Sequence, residues 1–387
     1  MTRLLEFIAA VFIVTMVFLA IGCFLPSQRQ VSKTVLTDRH LTIVYDTLNG
    51  FQHFKDWNAV GVQDRSVALR LSGPVRGQGA QVDLQSRQPL IGHVHWEIIN
   101  SRRDSDALIR FAVQDPSFGQ VKRLTFHLER RPSNPSQISV TATYNVDYGW
   151  NILGRYAGLY VRQSKSDELN VMLTRLLTFW GTIPNADYLA SAGGGSALMH
   201  IGLADVPAAY LLIAPAGGVD RSEDEILQAV KDSQDWIHRV EAANHLIAGG
   251  PLRIITNDDS PSKYNFDVAE PIQPPPPSLA VSNESSAGGA VAAAASDSAS
   301  REKPLQNPRL DLPNNAPVNL FYVKPLHVAH AHYSGPLSGL AQARNALRAW
   351  AVTSGYEVIN RPYEDWLSGT GANLRTQGEY ELYWEVK

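Results

Sequence analysis

The apolar positions of the chain begin as one unbroken run and then settle into short periods. From Phe7 to Leu25 no residue is charged and nearly all are apolar, roughly the 20 residues a helix needs to cross a bilayer; Pro26 ends the run. Val31 to Leu36 alternates, as an edge strand does. Thr37 or Asp38 can cap a helix reaching about Phe51, with Leu41, Val44, Tyr45 and Leu48 on one face. Strands are predicted over Val67–Leu71, Ala80–Gln85, His93–Asn100, Ala107–Val113, Lys122–Glu129 and Ser139–Tyr148, set apart by Gly, Pro and Asp/Ser clusters. Ser164 to Trp180 repeats at helical spacing, with Leu169, Met172, Leu173, Leu176 and Leu177 inward and Gly181 as its stop.

After a flexible joint at Gly193-Gly194-Gly195 the pattern changes. Ala208–Ala214 reads as a strand and Glu223–Leu246 as a helix, followed by strands Leu252–Ile255 and Tyr264–Val268. Val318–Val323 and His327–His332 are strand-like, Leu337 to about Thr353 is helical with Gly355 as its cap, and Tyr356–Ile359 and Tyr380–Val386 close the chain. Each half is thus β-α-β-β; neither buries enough surface alone, so the two should pair side by side. Between them Gln273 to about Pro317 holds four consecutive prolines and an Ala/Ser-rich run. Such a segment cannot bury enough apolar area to offset its chain entropy, so it should be disordered. The expected fold is α+β, with an anchor at 1–29, one domain at 30–188, a Gly-rich joint at 189–199, and a second domain at 200–272 and 318–387 around a disordered insert at 273–317.

Composition adds limits. The 387 residues carry a net charge of -3 and no basic stripe, so a nucleic-acid partner has no electrostatic support. The single cysteine, Cys23, lies in the apolar run, which leaves the rest of the chain without disulfide chemistry. An uncleaved anchor is the preferred reading of that run. A signal peptide and a lipoprotein remain alternatives, because Ala20-Ile21-Gly22-Cys23 loosely fits both. Arg3 ahead of the run favours an inside N-terminus, although Arg29, Lys33 and Arg39 just beyond it weaken the signal. No nucleophile elbow, phosphate loop, dinucleotide fingerprint or DNA-reading helix pair is present.

The candidate chemistry lies in the last strand. Tyr380, Leu382, Trp384 and Val386 point one way, and Glu381, Tyr383 and Glu385 the other. Aromatic rings around a carboxylate can hold an apolar or cationic small molecule, and Tyr264 to Pro271 repeats the idea around Asp267. The histidines of His93-x-His95-x-Glu97, and His327, His330 and His332, are read as polar strand faces. Neither a metal nor a cofactor is expected.

Two resemblances follow. The helix ending in Phe54-Lys55-Asp56-Trp57, Ser72-Gly73-Pro74 with Gly77-Gln78-Gly79-Ala80, and Trp150 to Tyr160 resemble a START-like SRPBCC domain of the polyketide cyclase/dehydrase type. That resemblance implies a sheet gripping its last helix around a hydrophobic ligand, with Trp57, Trp96 and Trp150 as candidate cavity walls. His327 to Pro336, the helix with Leu347 and Trp350, Gly355-Tyr356, Arg361 to Asp365 and the closing strand resemble the GyrI-like small-molecule-binding domain. It implies a glutamate on the closing strand of one half that meets cationic ligands; counting along the strand ends puts Glu381 there in the second half and Asp267 in the first. Tyr210, Tyr333, Trp350, Tyr363, Trp366 and Tyr383 are its candidate groove walls. The chain departs from that pattern at Glu385, where proline is common, and in the insert. The expected protein is a single-pass bacterial inner-membrane protein, soluble part in the periplasm, that binds small hydrophobic or cationic molecules without catalysis. The alternatives are a hydrolase using a groove carboxylate as general base, and an envelope scaffold recruiting partners through the Pro-rich insert.

Overall fold

A computed structural model describes residues 2–64, 66–88, 91–104, 107–189, 198–259, 263–273, 310–371, 374 and 377–387. The chain is α+β, with two antiparallel sheets in two compact units, one of Met1–Asn185 with Thr353–Gly355 and the other of Ala186–Val352 and Tyr356–Lys387.

The first unit opens with helix α1 (Thr2–Phe24), strand β1 (Gln28–Thr37), helix α2 (Leu41–Leu48) and two single-turn helices, α3 (Phe54–Trp57) and α4 (Val60–Gln63). Six strands follow, β2 (Ala68–Ser72), β3 (Gln81–Gln85), β4 (His93–Arg102), β5 (Ala107–Gln114), β6 (Val121–Arg131) and β7 (Asn134–Asp147), then the long helix α5 (Ile152–Thr182). The sheet runs β1-β7-β6-β5-β4-β3-β2, a meander whose first strand pairs with its last. Strict alternation of buried and half-buried positions along β5 and β7 gives it one core face. On that face Phe54, Trp57, Trp96, Phe111 and Phe126 form a cluster of mostly edge-on rings, for example 5.1 Å between Phe54 and Trp96. Leu169, Met172, Leu173 and Leu176 of α5 are buried as the helical spacing predicted; Leu177 is only half-buried, and Trp180, outside that expectation, is buried too.

Helix α5 starts at Ile152, well ahead of the predicted Ser164. Its first turns pack on α1 as well as against Tyr148 and Arg29 at the sheet's end, where Gly154 and Gly158 stand in place of an apolar stripe. Tyr156 stacks on Phe18 with ring centres 4.3 Å apart and donates 2.7 Å to its carbonyl. Arg155, buried, donates to the carbonyls of Cys23 (2.9 Å), Leu25 (3.3 Å) and Gly22 (3.4 Å), taking up acceptors left over at the end of α1.

The second unit comprises β8 (Leu198–Val206), β9 (Ala209–Asp220), helix α6 (Glu223–Asn244), β10 (Leu252–Asp259), β11 (Lys263–Ile272), β12 (Asn319–Val323), β13 (Leu326–Gly335), helix α7 (Leu340–Thr353), β14 (Tyr363–Trp366) and β15 (Gly378–Glu385). Its sheet order is β12-β9-β11-β10-β14-β15-β13-β8. Exchanging β8–β11 for β12–β15 and reversing the row returns the same order, so the connectivity has internal two-fold symmetry. Each half's leading strand pairs with the other half. One core joins Val230, Ile237 and Val240 of α6, Leu340, Ala343 and Leu347 of α7, and sheet residues such as Ile254, Val268, Ala331 and Leu382. Gly335 and Gly378 face each other across β13 and β15, which leaves room for the stacked rings of Tyr333 and Tyr380; a Cβ at either glycine would collide with a tyrosine hydroxyl.

Two strands escaped the hydrophobic pattern, β8 and β14. The predicted strand Tyr356–Ile359 reduces to a bridge between Val358 and Val386. Within the joint, 190–197 lie outside the described residues, as do 274–309 of the insert. Residues 310–317, expected in that insert, pack on the second unit. Ala316 is buried, and Asn244 exchanges two hydrogen bonds with the Asp311 backbone, 2.7 and 2.8 Å.

Candidate functional site

Strand β14 is four residues long, and all four, Tyr363-Glu364-Asp365-Trp366, are buried. Alternation sends Tyr363 and Asp365 to the open face of the sheet and Glu364 and Trp366 beneath the helices. On the open face Asp365 takes a two-pronged bond from Arg253, 2.7 Å from Nε and 3.0 Å from Nη2, and the same guanidinium lies 4.2 Å over the Tyr363 ring. On the helix face Glu364 is wholly buried and less well served. Tyr264 donates to its Oε1 at a long 3.4 Å, and Arg344 Nε stands 3.6 Å from Oε2, which has no hydrogen-bond partner among the described residues. The Tyr264 hydroxyl is the hub: it also receives Arg344 Nη2 at 3.2 Å and meets Thr256 at 3.0 Å.

These groups wall a cavity of about 160 Å³ that opens between the N-terminal turns of α6 and α7. Trp366 and Tyr264 form its floor beside Glu364. Glu223 and Ile226 come from α6, Leu340, Ala341 and Arg344 from α7. Ser222 caps α6 by accepting from the Glu225 amide, which fixes where Glu223 and Ile226 stand. Burial pushes the Glu364 carboxyl above its ordinary range, with Arg344 and Tyr264 opposing, and raises the Tyr264 hydroxyl too. Arg344 stays charged: burial works against it, but Glu364 and Tyr264 together outweigh burial. The unit therefore holds, at a cavity wall, an acid that binds its proton more tightly than usual and whose Oε2 faces Arg344 without a hydrogen bond.

Of the residues singled out in the sequence, Trp366 lines this cavity. Glu381 does not; it lies on the open face, hydrogen-bonded to His330 and, at 2.9 Å, to His332 Nδ1. His332 Nε2 reaches Glu379 at 2.8 Å; burial works against the imidazolium, but Glu381 and Glu379 outweigh it and hold its pKa up. Asp267 is on the same open face, 3.5 Å from Arg361. Tyr363 and Tyr383 stack there with centres 4.9 Å apart, and burial pushes the Tyr383 hydroxyl up to about 12. Tyr333 is buried under the helices with its hydroxyl donating to Pro336 O, Trp350 packs on Tyr356, and half-buried Tyr210 packs on Tyr322. Glu364, Arg344 and Tyr264 went unread as site residues. The available signal was the run Arg361 to Asp365 itself, two adjacent acids between aromatic residues.

In the first unit a separate cavity of about 170 Å³ lies between sheet and α5, lined by Val94, Trp96, Leu124, Tyr144 and Met172 among others. Of the three tryptophans expected around it, Trp96 is there. Trp57 is wholly buried in the ring cluster behind. Trp150 is 85% exposed, a correction: it precedes Asn151, whose side chain caps α5, and so stays outside the helix under Arg155. The cavity mouth is ionic. Asp115 pairs with buried Lys122, and Lys165 joins Glu168 and lies 4.9 Å over the Tyr144 ring. His93 and His95 both turn to Asp83, at 3.3 and 2.9 Å, and hold its carboxyl low.

No family model and no curated protein matches the chain. Among solved structures it is similar to the EcmrR C-terminal domain, with a TM-score of 0.33 at 13% identity over 49% of this chain and 97% of that domain. It is similar to norcoclaurine synthase from Thalictrum flavum, with a TM-score of 0.32 at 8% identity over 42% and 91%. A hypothetical protein from Helicobacter pylori scores 0.31 at 9% over 39% and 87%. With scores this low, none of them transfers an activity.

Proposed function

We propose that the second unit is a duplicated, GyrI-like binding module that takes a small, largely apolar molecule between α6 and α7, and that α1 anchors it to a membrane. The observation that carries the binding reading is Glu364: wholly buried at a cavity wall, with Oε2 near Arg344 but hydrogen-bonded to none of the described residues. A buried acid left short of hydrogen bonds costs free energy unless something completes it. About 160 Å³ is close to the roughly 150 Å³ engineered cavity that accepts benzene, so a single-ring molecule suits the space. Arg344 already stands on the cationic side of the acid, which favours a neutral occupant with one hydrogen-bonding group over a permanent cation. The first unit's START-like cavity is a second, independent place for an apolar molecule.

Membrane attachment rests on α1, whose 6–24 stretch is apolar, long enough to cross a bilayer and almost entirely exposed. A signal sequence passes the same test of length and composition, but two features favour a retained anchor. Arg155 and Tyr156 hold the end of α1, and Trp150, Leu153 and Tyr160 stand exposed next to it, as residues of an aromatic interfacial belt do.

Native mass spectrometry of gently extracted protein should find a co-purifying small molecule. Fluorescence titration with single-ring compounds should then give saturable binding that Ala341→Phe, which fills the cavity, abolishes. Equal binding by the filled variant would sink the pocket. Release of the full chain from membranes by carbonate would sink the anchor.

A further inference from the structure

Far from the cavity, toward the other end of α6, three ionisable side chains meet under the sheet. His238 and Glu241 are three apart on α6 and so share a face, and Glu270 points up to them from β11. One ligand atom from each lies within 4.8 Å of the other two. Glu241 and Glu270 are 9% and 7% exposed, and Glu241 Oε1 and Glu270 Oε2 have no hydrogen-bond partner among the described residues. His238 Nε2 approaches Glu270 Oε2 at 3.3 Å and is half exposed. One imidazole at the rim faces two carboxylates packed together away from water; it approaches Glu270 Oε2 and leaves Glu241 Oε1 unanswered.

We propose that His238, Glu241 and Glu270 bind one divalent transition-metal ion, zinc or manganese, which clamps the C-terminal half of α6 to β11. An imidazole with two carboxylates is a borderline donor set, suited to such ions and poor for calcium or magnesium, which take oxygen ligands alone. Bonds of about 2.0–2.2 Å would draw the ligands to about 3.4 Å from one another. The half-exposed His238 can supply much of that closure, and its exposure is also the way in. The ion neutralises both carboxylates together, whereas a proton shared between them neutralises one. Three protein ligands leave a position open toward His238 and solvent.

The test uses the full chain in detergent, stripped with chelator and titrated calorimetrically with zinc chloride and, separately, manganese chloride. One tight equivalent is expected, with a rise in Tm. Glu241→Gln and Glu270→Gln should each weaken that equivalent at least about tenfold. The paired variants His93→Ala/His95→Ala and His330→Ala/His332→Ala should leave it intact, since those histidines sit elsewhere. Absence of a tight equivalent overturns the proposal, and so does one that persists in both glutamine variants. Should either glutamine variant fail to fold, His238→Ala decides, because that side chain stands at the surface: undiminished binding in it overturns the clamp.

Discussion

Glu364 and Asp365 are neighbours on one short strand, both buried and both facing an arginine, yet they are held in different ways. Asp365 has two short bonds to Arg253, which also lies on a tyrosine ring; nothing remains to be satisfied. Glu364 has a long bond from Tyr264, a guanidinium just beyond hydrogen-bond reach, and an empty space beside it. A fully engaged buried ion pair holds structure in place. An under-engaged one at a cavity wall is where a ligand can contribute what the protein withholds.

The contrast can be tested from its strong side downward. Arg253→Ala should leave Asp365 buried without its cation and cost about 3–5 kcal/mol in urea unfolding at an unchanged m-value. Glu364→Gln should cost less, about 1–2 kcal/mol, because the amide keeps hydrogen-bonding capacity and removes a poorly compensated charge, while ligand binding falls with it. Equal costs for the two variants would erase the distinction. A smaller effect appears with pH. Because Glu364 binds its proton more tightly folded than unfolded, its contribution is complete below its ordinary value of 4.5 and is lost as pH rises above it. His332, also raised, contributes fully below its ordinary 6.5 and loses that contribution as pH climbs further. Stability should therefore fall as pH rises, with Glu241 and Glu270, also raised, adding to the fall; Glu364→Gln and His332→Gln should each flatten part of it, read from Tm across about pH 4 to 9. The smallest change is expected from Glu381→Gln. Its acid is partly exposed, so about 1 kcal/mol or less is at stake, and ligand affinity should not move.

Much of the architecture was legible because burial imposes a period. The helix stripe through Leu169, Met172, Leu173 and Leu176, and the alternation of Tyr380 and Leu382 against Glu381 and Tyr383, all stand as read. Strand β14 was not legible. Tyr-Glu-Asp-Trp lacks an apolar alternation, since each face carries an aromatic and an acid, and it becomes a strand through pairing with β10 on one side and β15 on the other. Missing it moved the strand to Tyr356–Ile359 and left Glu364 unread, while the aromatic pattern of the closing strand pointed to Glu381. The start of α5 was missed for a related reason: its first turns are specified by α1, a contact distant in sequence.

By itself the sequence determined the apolar helix, the strand and helix periods, and which residues of each strand share a side. Those follow from backbone geometry, which repeats locally at 2.0 and 3.6 residues. Only the tertiary structure decided which side of the second sheet the two helices cover. That choice made Glu364, and not Glu381, the buried acid, because desolvation depends on what packs over a residue and not on its neighbours along the chain.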